Sequence, residues 1–137
     1  MQLPSSQEIV EDLEFFDDWE QKYQYIIDLG KALPRLDDAQ KTPERLVKGC
    51  QSSVWLVTSM DGDKIHFEVD SDAVIVHGLL ALVMAAYNDK TPAEITAFDI
   101  DAYFEALDLE RHITPTRGNG LRAIVGKIQH LAAQHGG

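Results

Sequence analysis

The stretch that decides the fold lies near the middle of the chain, where residues 53–69 read SVWLVTSMDGDKIHFEV. Its first part is rich in β-branched and aromatic residues, which favour a β-strand. The pair Asp61-Gly62 is typical of a tight hairpin turn, because glycine readily adopts the left-handed backbone that such turns need. In the last part, apolar residues alternate with polar ones, as in a strand with one buried face. These apolar residues are Ile65, Phe67 and Val69. The pattern predicts an antiparallel hairpin.

Further elements are predicted on both sides of this hairpin. A short third strand is expected at residues 45–48, after a proline-containing loop at residues 34–44. Apolar residues that recur every three or four positions predict helices over residues 7–29, 73–87, 101–107 and 117–134, and a capping box at residues 91–94 starts one more. Gly30 and Pro34 are expected to end the first helix. The predicted fold class is α+β, a small antiparallel sheet of about three strands packed with helices.

An acidic motif, Asp70-Ser71-Asp72, separates the second strand from the central helix. Two carboxylates this close together are compatible with an acid/base pair. They are equally compatible with helix capping, in which a side chain accepts hydrogen bonds from the free N–H groups of the first turn. Because both aspartates lie at a helix entry, we favour capping.

The charge of the chain limits its partners. Its 137 residues include 12 Lys and Arg against 23 Asp and Glu, a formal net charge of −11. Binding to nucleic acid or to an anionic membrane surface normally needs a basic surplus, so neither is expected here. The length suits one domain over residues 1–137. The lack of a signal peptide or a long apolar run predicts a cytoplasmic location.

Cys50 is the only cysteine, which excludes a disulfide within the chain and a metal site of several thiolates. It lies between the proline-containing loop and the first strand. A loop thiol is accessible, and Gly49 leaves room for another group to approach, but free cysteines are also often buried and inert. Position alone leaves both interpretations open. The five histidines have no metal-binding spacing, so no metal site is expected.

Several separated blocks of the sequence resemble the SufE family of sulfur acceptors. The most specific block is GCQS at residues 49–52, followed by VW at residues 54–55. Further blocks at residues 19–31, 70–79 and 114–121 extend the resemblance over about residues 15–130. The QS form of the first block is more similar to SufE itself than to its paralogue CsdE.

The resemblance implies a two-layer fold shared with IscU-type scaffolds and a role as a sulfur carrier. Cys50 is then the catalytic residue. It takes persulfide sulfur from a pyridoxal-phosphate cysteine desulfurase that is SufS- or CsdA-like, enhances the turnover of that enzyme, and passes sulfur to an iron–sulfur scaffold complex. Such a protein needs no cofactor of its own and is not a stand-alone enzyme, and the resemblance leaves the oligomeric state open, with a homodimer as one possible state. The residues implied to form or support the persulfide loop are Gly49, Gln51, Ser52, Asp72 and Arg117.

Two rival functions compete with the carrier hypothesis. In the first, the chain is an allosteric binding module that activates the desulfurase, and Cys50 carries no sulfur. In the second, Cys50 is the thiol of a one-cysteine peroxidase or redox sensor, which requires an exposed thiol of low pKa. The resemblance further implies that apolar residues near the loop, Trp55 among them, shelter Cys50 until the partner binds.

Overall fold

The computed structural model describes residues 3–47, 53–109, 111 and 113–135. Its helices are α1 (Ser6–Glu14), α2 (Trp19–Ala32), α3 (Val74–Tyr87), α4 (Pro92–Ala97), α5 (Ile100–Ala106) and α6 (Pro115–Gln134), and its strands are β1 (Val54–Asp61) and β2 (Lys64–Ser71). Two short 3₁₀ turns, Asp38–Gln40 and Pro43–Arg45, lie between α2 and β1. The predicted α+β class, with helices packed on a small antiparallel sheet, is confirmed.

The hairpin forms where the sequence predicts it. Strands β1 and β2 pair antiparallel, from Val54 opposite Ser71 to Asp61 opposite Lys64. Gly62 in the turn has φ +63°, the left-handed conformation that glycine adopts without steric cost. The alternating apolar residues of β2 are buried, as the period of two requires. The hairpin therefore presents one face to the core.

The prediction of a third strand at residues 45–48 is wrong for the described part of that range. Leu46 forms one isolated antiparallel bridge with Trp55, and the Val47 N–H donates to the Val54 carbonyl at 2.9 Å. Arg45 ends a 3₁₀ turn, so only two residues remain that can pair with β1. The sheet among the described residues has two strands, with this bridge at the start of β1.

The single helix predicted over residues 7–29 is two helices. The break occurs because Asp18 caps α2, accepting a hydrogen bond from the Gln21 N–H at 2.9 Å. A capping aspartate has an extended backbone, which a continuous helix does not allow. The Tyr25 hydroxyl donates to Asp12 at 2.6 Å and ties the two helices together. Apolar spacing alone did not show this break, because the two helices bury apolar residues toward the same core.

Gly30 lies inside α2 and does not end it, which corrects the predicted role of this residue. It faces Gly78 of α3 so closely that a Cβ on Gly30 would lie 2.9 Å from the Gly78 Cα. A Cβ on Gly78 would lie 2.6 Å from the Ile26 carbonyl oxygen. The two glycines thus allow the backbones of α2 and α3 to approach at a distance that any side chain would prevent. The helix ends at Ala32, just before Pro34.

Helix α3 is the central element of the core, as its nearly continuous apolar sequence predicts. Ten of its fourteen residues are buried. It contacts β2 and three other helices: α1, α2 and α6. Helix α3 is therefore the element against which β2, α1, α2 and α6 pack.

The predicted capping box of α4 is confirmed by reciprocal hydrogen bonds between Thr91 and Glu94 at 3.0 and 3.2 Å.

The close crossing of α2 and α3 predicts a large effect of Gly78→Ala. The added methyl group would overlap the Ile26 carbonyl oxygen, so we expect the free energy of unfolding to fall by about 1–3 kcal/mol. Gly126→Ala is the matched control. Gly126 lies in α6 with open space around its Cα, and alanine there should raise stability by about 0.5–1 kcal/mol. Urea unfolding followed by circular dichroism measures both, and equal effects would contradict the crossing.

Candidate functional site

Gly49, Cys50, Gln51 and Ser52 lie outside the described residues, but the structure describes both ends of the segment that contains them. On one side, Leu46 and Val47 pair with the start of β1. On the other side, the Ser53 carbonyl accepts a hydrogen bond from the Asp72 N–H at 3.4 Å. The two described ends of the segment thus lie at the open end of the hairpin, next to the junction of β2 and α3.

A buried carboxylate lies at this open end. Asp70 is opposite Trp55 in the strand register, and its residue surface is fully removed from solvent. The Ser71 N–H donates to Asp70 Oδ1 at 2.8 Å, and the Leu36 N–H donates to Oδ2 at 3.2 Å. A buried carboxylate is stable only when hydrogen bonds and opposite charges compensate the loss of water. The loop after α2 supplies part of that compensation.

Two cations from that same loop pair with Asp70. Arg35 Nη1 lies 2.8 Å from Asp70 Oδ1 and also donates to the Ser71 carbonyl at 2.9 Å. Lys41 Nζ lies 3.3 Å from Asp70 Oδ2 and 5.4 Å from the centre of the Trp55 ring, a cation–π distance. The Arg35 side chain is 56% exposed and that of Lys41 is 28% exposed. Both positive charges therefore lie at the surface beside the ends of the cysteine segment.

The protonation of Asp70 follows from these contacts. Burial by itself raises the pKa of the carboxyl, because it disfavours the charged form. The hydrogen bonds from Leu36 and Ser71, together with Lys41 and Arg35, act in the opposite direction and hold the pKa of Asp70 below its ordinary value. Asp70 is thus a carboxylate at neutral pH, held by four donors.

His77 of α3 completes the group, which we call the Asp70 cluster: Arg35, Lys41, Asp70 and His77. The His77 side chain is buried, and its Nε2 lies 3.4 Å from the Leu33 carbonyl oxygen. Its Nδ1 lies 3.4 Å from Asp70 Oδ1 without hydrogen-bond geometry. Burial, and then the charge of Arg35, lower the pKa of His77 below its ordinary value of 6.5. A neutral ring that donates from Nε2 to Leu33 fits this arrangement.

The two predicted support residues that the structure describes lie in different places. Asp72 is exposed, and its backbone pairs with Ser53 at the base of the cysteine segment. Arg117 is exposed in the first turn of α6, where its N–H donates to Thr114 Oγ1 at 3.3 Å. Its side chain forms no ion pair with any described residue. Of the hydrogen bonds described for these two residues, that of the Asp72 N–H reaches a described end of the segment, and that of the Arg117 N–H stays within the first turn of α6.

The prediction that Asp70 and Asp72 cap the central helix is wrong. The N-cap of α3 is Ala73, which has no side-chain cap hydrogen bond, and Ser71 Oγ accepts from the Ala73 N–H at 3.3 Å. The Asp70 carboxylate instead pairs with Arg35 and Lys41 of the loop after α2. The acid/base alternative does not fit either, because Asp72 is exposed while Asp70 is buried.

Sequence reasoning missed Arg35, Lys41 and His77 as neighbours of the site. In the period of two that β2 follows, Asp70 falls on the face opposite Phe67 and Val69, which predicts exposure to solvent. The loop after α2 covers that face and buries it. The sequence offered only a weak indication of these contacts. Arg35 and Lys41 are two positive charges of an acidic chain, and both lie in the loop that leads to Cys50.

Metal-binding and membrane-spanning features are absent from the described ranges. Residues 3–47, 53–109, 111 and 113–135 contain no group of three or more His, Cys, Asp or Glu side chains arranged to hold a metal ion. No helix in those ranges is long and apolar enough to cross a membrane.

Comparison with known proteins identifies the family. Residues 7–132 match the family model described as SufE, the Fe-S metabolism associated domain. The chain belongs to the SufE family. A SufE-like protein of Rhizobium etli is 46% identical over 95% of this chain and 90% of its own length. A SufE-like protein of Rhizobium meliloti is 41% identical over 95% of this chain and 96% of its own length.

A solved structure shares the fold of this SufE-family chain. The solution structure of a hypothetical protein from Thermus thermophilus superposes with a TM-score of 0.78, over 98% of each chain, at 18% sequence identity. At that identity the likeness concerns the fold alone. The sequence-based assignment to the SufE family is confirmed, and with it an association with iron–sulfur metabolism.

The buried position of His77 predicts a pH dependence of stability. Because its pKa is lower in the folded state, the unfolded chain binds a proton more readily as pH falls below about 6.5. We expect the free energy of unfolding to decrease from about pH 7 to about pH 5, by at most about 1.4 kcal/mol per pH unit from this group. His77→Gln should flatten the decrease, whereas exposed His130→Gln should not. Urea unfolding at several pH values measures the slopes, and equal slopes in all three proteins would contradict the assignment.

Proposed function

We propose that this SufE-family chain is a sulfur acceptor and carrier in the cytoplasm. In this proposal Cys50 receives persulfide sulfur from a pyridoxal-phosphate cysteine desulfurase, and the chain delivers it to an iron–sulfur scaffold complex. The observation that carries the proposal is the sole cysteine, in the GCQS block of a chain that matches the family over residues 7–132. The described residues on either side of this block also support the proposal.

The geometry of the described ends limits where Cys50 can be. Three residues separate it from Val47, which is hydrogen bonded to Val54. An extended chain spans roughly 3.5 Å per residue, so the Cα of Cys50 stays within about 11 Å of Val47. The surface cations Arg35 and Lys41 lie at the same end of the hairpin. Positive charge near a thiol favours the thiolate, which is the nucleophilic form.

The proposed transfer is a thiolate–persulfide exchange. The Cys50 thiolate attacks the outer sulfur of the desulfurase persulfide, R–S–SH. A new S–S bond forms on Cys50 as the S–S bond of the desulfurase breaks, and the desulfurase cysteine leaves as a thiolate. The products are Cys50–S–SH and R–S⁻, so the reaction needs neither oxidant nor reductant, and the proton stays on the transferred sulfur.

The presence of one cysteine suits a carrier. A second thiol in the same chain could attack the Cys50 persulfide, release sulfide and close a disulfide. The sequence contains no second cysteine, so the sulfur stays on Cys50 until an external acceptor takes it. By removing the persulfide, the carrier would also raise the turnover of the desulfurase.

Mass spectrometry of the intact protein tests the proposal directly. We expect the chain to gain the mass of one or more sulfur atoms after incubation with a cysteine desulfurase, pyridoxal phosphate and cysteine. A reductant should remove the added mass, and Cys50→Ser should not acquire it. Faster desulfurase turnover with no gain of mass would contradict the carrier function and favour the allosteric binding module. Oxidation of Cys50 by peroxide without any partner would instead favour the redox sensor.

Gly49, Gln51, Ser52, Asp72 and Arg117 are proposed to form or support the persulfide loop. Asp72 already pairs through its backbone with Ser53. Gly49 would leave space for the incoming persulfide, because it has no Cβ. Arg117 is proposed to stabilise the Cys50 thiolate through its positive charge. Its side chain forms no ion pair with any described residue, so none of them neutralises this charge.

This role of Arg117 predicts the effect of Arg117→Gln. Loss of a nearby positive charge disfavours the thiolate, so the pH at which Cys50 is alkylated at half its maximal rate should rise. Arg111→Gln is the matched control, because Arg111 is also exposed and pairs with Asp108 at 3.5 Å. Alkylation by iodoacetamide across a range of pH measures both midpoints. An unchanged midpoint in Arg117→Gln would remove Arg117 from the site.

A further inference from the structure

The two edges of the hairpin have different neighbours. Along the outer edge of β2, the Ile65 N–H donates to the Lys90 carbonyl at 2.9 Å, and the Asp89 N–H donates to the Ile65 carbonyl at 3.0 Å. Further along, the Asn88 side chain exchanges two hydrogen bonds with the Phe67 backbone, at 2.8 and 3.1 Å. The segment after α3 thus covers this edge as a neighbouring strand would.

The same bonds determine which backbone groups of β1 point away from β2. In an antiparallel pair, two opposite residues either bond to each other or both direct their N–H and C=O groups outward. Phe67 bonds outward, so Thr58 opposite it also points outward. Ile65 bonds outward too, and Met60 lies opposite it. The period of two adds Leu56 to this set.

The outer edge of β1 is open beyond its first two residues. Pairing stops at the bridge between Leu46 and Trp55, because the chain before Leu46 forms a 3₁₀ turn. Among the described residues, no hydrogen bond reaches the N–H and C=O groups that Leu56, Thr58 and Met60 direct outward. Met60 is also 46% exposed. An open edge of this kind is a template for pairing with another strand.

Opposite charges lie near the two ends of this open edge. Arg45 is the last residue of the 3₁₀ turn, and its Nη1 donates to the Gln40 carbonyl at 3.0 Å. Asp61 is exposed at the far end of β1, beside the hairpin turn. Neither side chain forms an ion pair with a described residue. An edge that is positive at one end and negative at the other is complementary to an antiparallel copy of itself.

We propose that the open edge of β1 is an interface at which the chain pairs with a second copy of itself. The two β1 strands run antiparallel about a two-fold axis, which makes the same surface serve both copies. The two hairpins then form one four-stranded sheet, in which the outward groups of Thr58 and Met60 bond to the other copy. This interface is independent of the function proposed for Cys50.

The bridge at the start of β1 limits the register of this pairing. If Thr58 lay opposite Thr58 of the second copy, Asp61 of that copy would lie opposite Trp55, where Leu46 is already bound. A shift by two residues removes this overlap and keeps the outward groups facing each other. Thr58 then lies opposite Met60 of the second copy.

In this register the two-fold axis passes beside Ser59, and opposite charges meet on both sides of it. Asp61 of each copy lies opposite Val57 of the other. The 3₁₀ turn that ends at Arg45 contacts β1 just before the bridge to Trp55. Each Arg45 therefore lies near Asp61 of the other copy, which gives it a carboxylate partner that the described part of its own chain does not supply.

Sedimentation equilibrium of the full chain tests for the dimer. We expect a Kd of roughly 1–100 μM, in keeping with a small interface. Thr58→Pro removes an N–H that points away from β2, so the hydrogen bonds between β1 and β2 stay intact. It also removes one hydrogen bond from each half of the interface, and we expect the Kd to rise by about tenfold or more. Circular dichroism should show the variant folded.

An exchange of charges tests the register without a proline. Arg45→Glu and Asp61→Lys each bring like charges together twice in their own dimers, so each should raise the Kd by roughly tenfold. An equimolar mixture of the two variants brings opposite charges together at both contacts and should recover a Kd close to that of wild type. Glu44 and Lys64 lie near these residues and reduce the effect, so low ionic strength is required.

Cysteine cross-linking locates the two-fold axis. In a Cys50→Ser background, Ser59→Cys places two thiols across the axis, where the Cα atoms of a non-hydrogen-bonded pair lie about 4.5 Å apart. That distance allows a disulfide. Oxidised glutathione should therefore link this variant into a covalent dimer, and it is itself reduced to two thiols as the new disulfide forms. Asp63→Cys is the matched control. It lies exposed in the hairpin turn, far from the axis, and should not be linked.

Each outcome decides for or against the β1 interface. A wild type that stays monomeric at roughly 1 mM would overturn the pairing with a second copy and leave the edge to a strand of another protein. A dimer whose Kd is unchanged by Thr58→Pro would place the self-association elsewhere and overturn the proposal. A mixture of the charge variants that associates no better than either alone, or equal cross-linking through positions 59 and 63, would overturn the register.

Discussion

The charge of Asp70 is the constraint on which the arrangement of this end of the molecule depends. The carboxylate is fully buried, and its free energy there is acceptable only because two cations and two backbone N–H groups surround it. Those donors come from the loop after α2 and from the junction of β2 and α3. Removing any one would leave a buried charge under-compensated, so the loop, the hairpin and the start of α3 are held as a unit.

The close approach of α2 and α3 makes this unit geometrically possible. Gly30 and Gly78 bring the two helix backbones into contact, and the loop after α2 then passes directly over the end of β2. His77, next to Gly78, lies between the Leu33 carbonyl and Asp70. Because Gly30 and Gly78 have no side chains, the two helices pack closely there. This packing places the neighbouring His77 in a buried position beside Asp70. The neutral state of His77 follows from the same burial.

In the function proposed for this SufE-family chain, the described ends of the cysteine segment lie beside this arrangement. The half-exposed guanidinium of Arg35 places positive charge at the open end of the hairpin, and positive charge near a thiol favours the thiolate. The chain as a whole is acidic, with a formal net charge of −11, so the pair of cations at this end contrasts with the average charge of the chain.

The sequence by itself determined the α+β class, the Asp61-Gly62 hairpin, the buried α3, the α4 capping box and the family, because these features depend on local periodicity, turn chemistry and recurring motifs. It did not reveal the break before α2, the inner position of Gly30 or the burial of Asp70. Each of these depends on which segment packs against which. The period of β2 assigns Asp70 to solvent, and only the tertiary path of the loop after α2 replaces that solvent with Arg35, Leu36 and Lys41. Asp70 holds this loop in place only because residues far from it in the sequence contact its carboxylate, and no local sequence pattern shows such contacts.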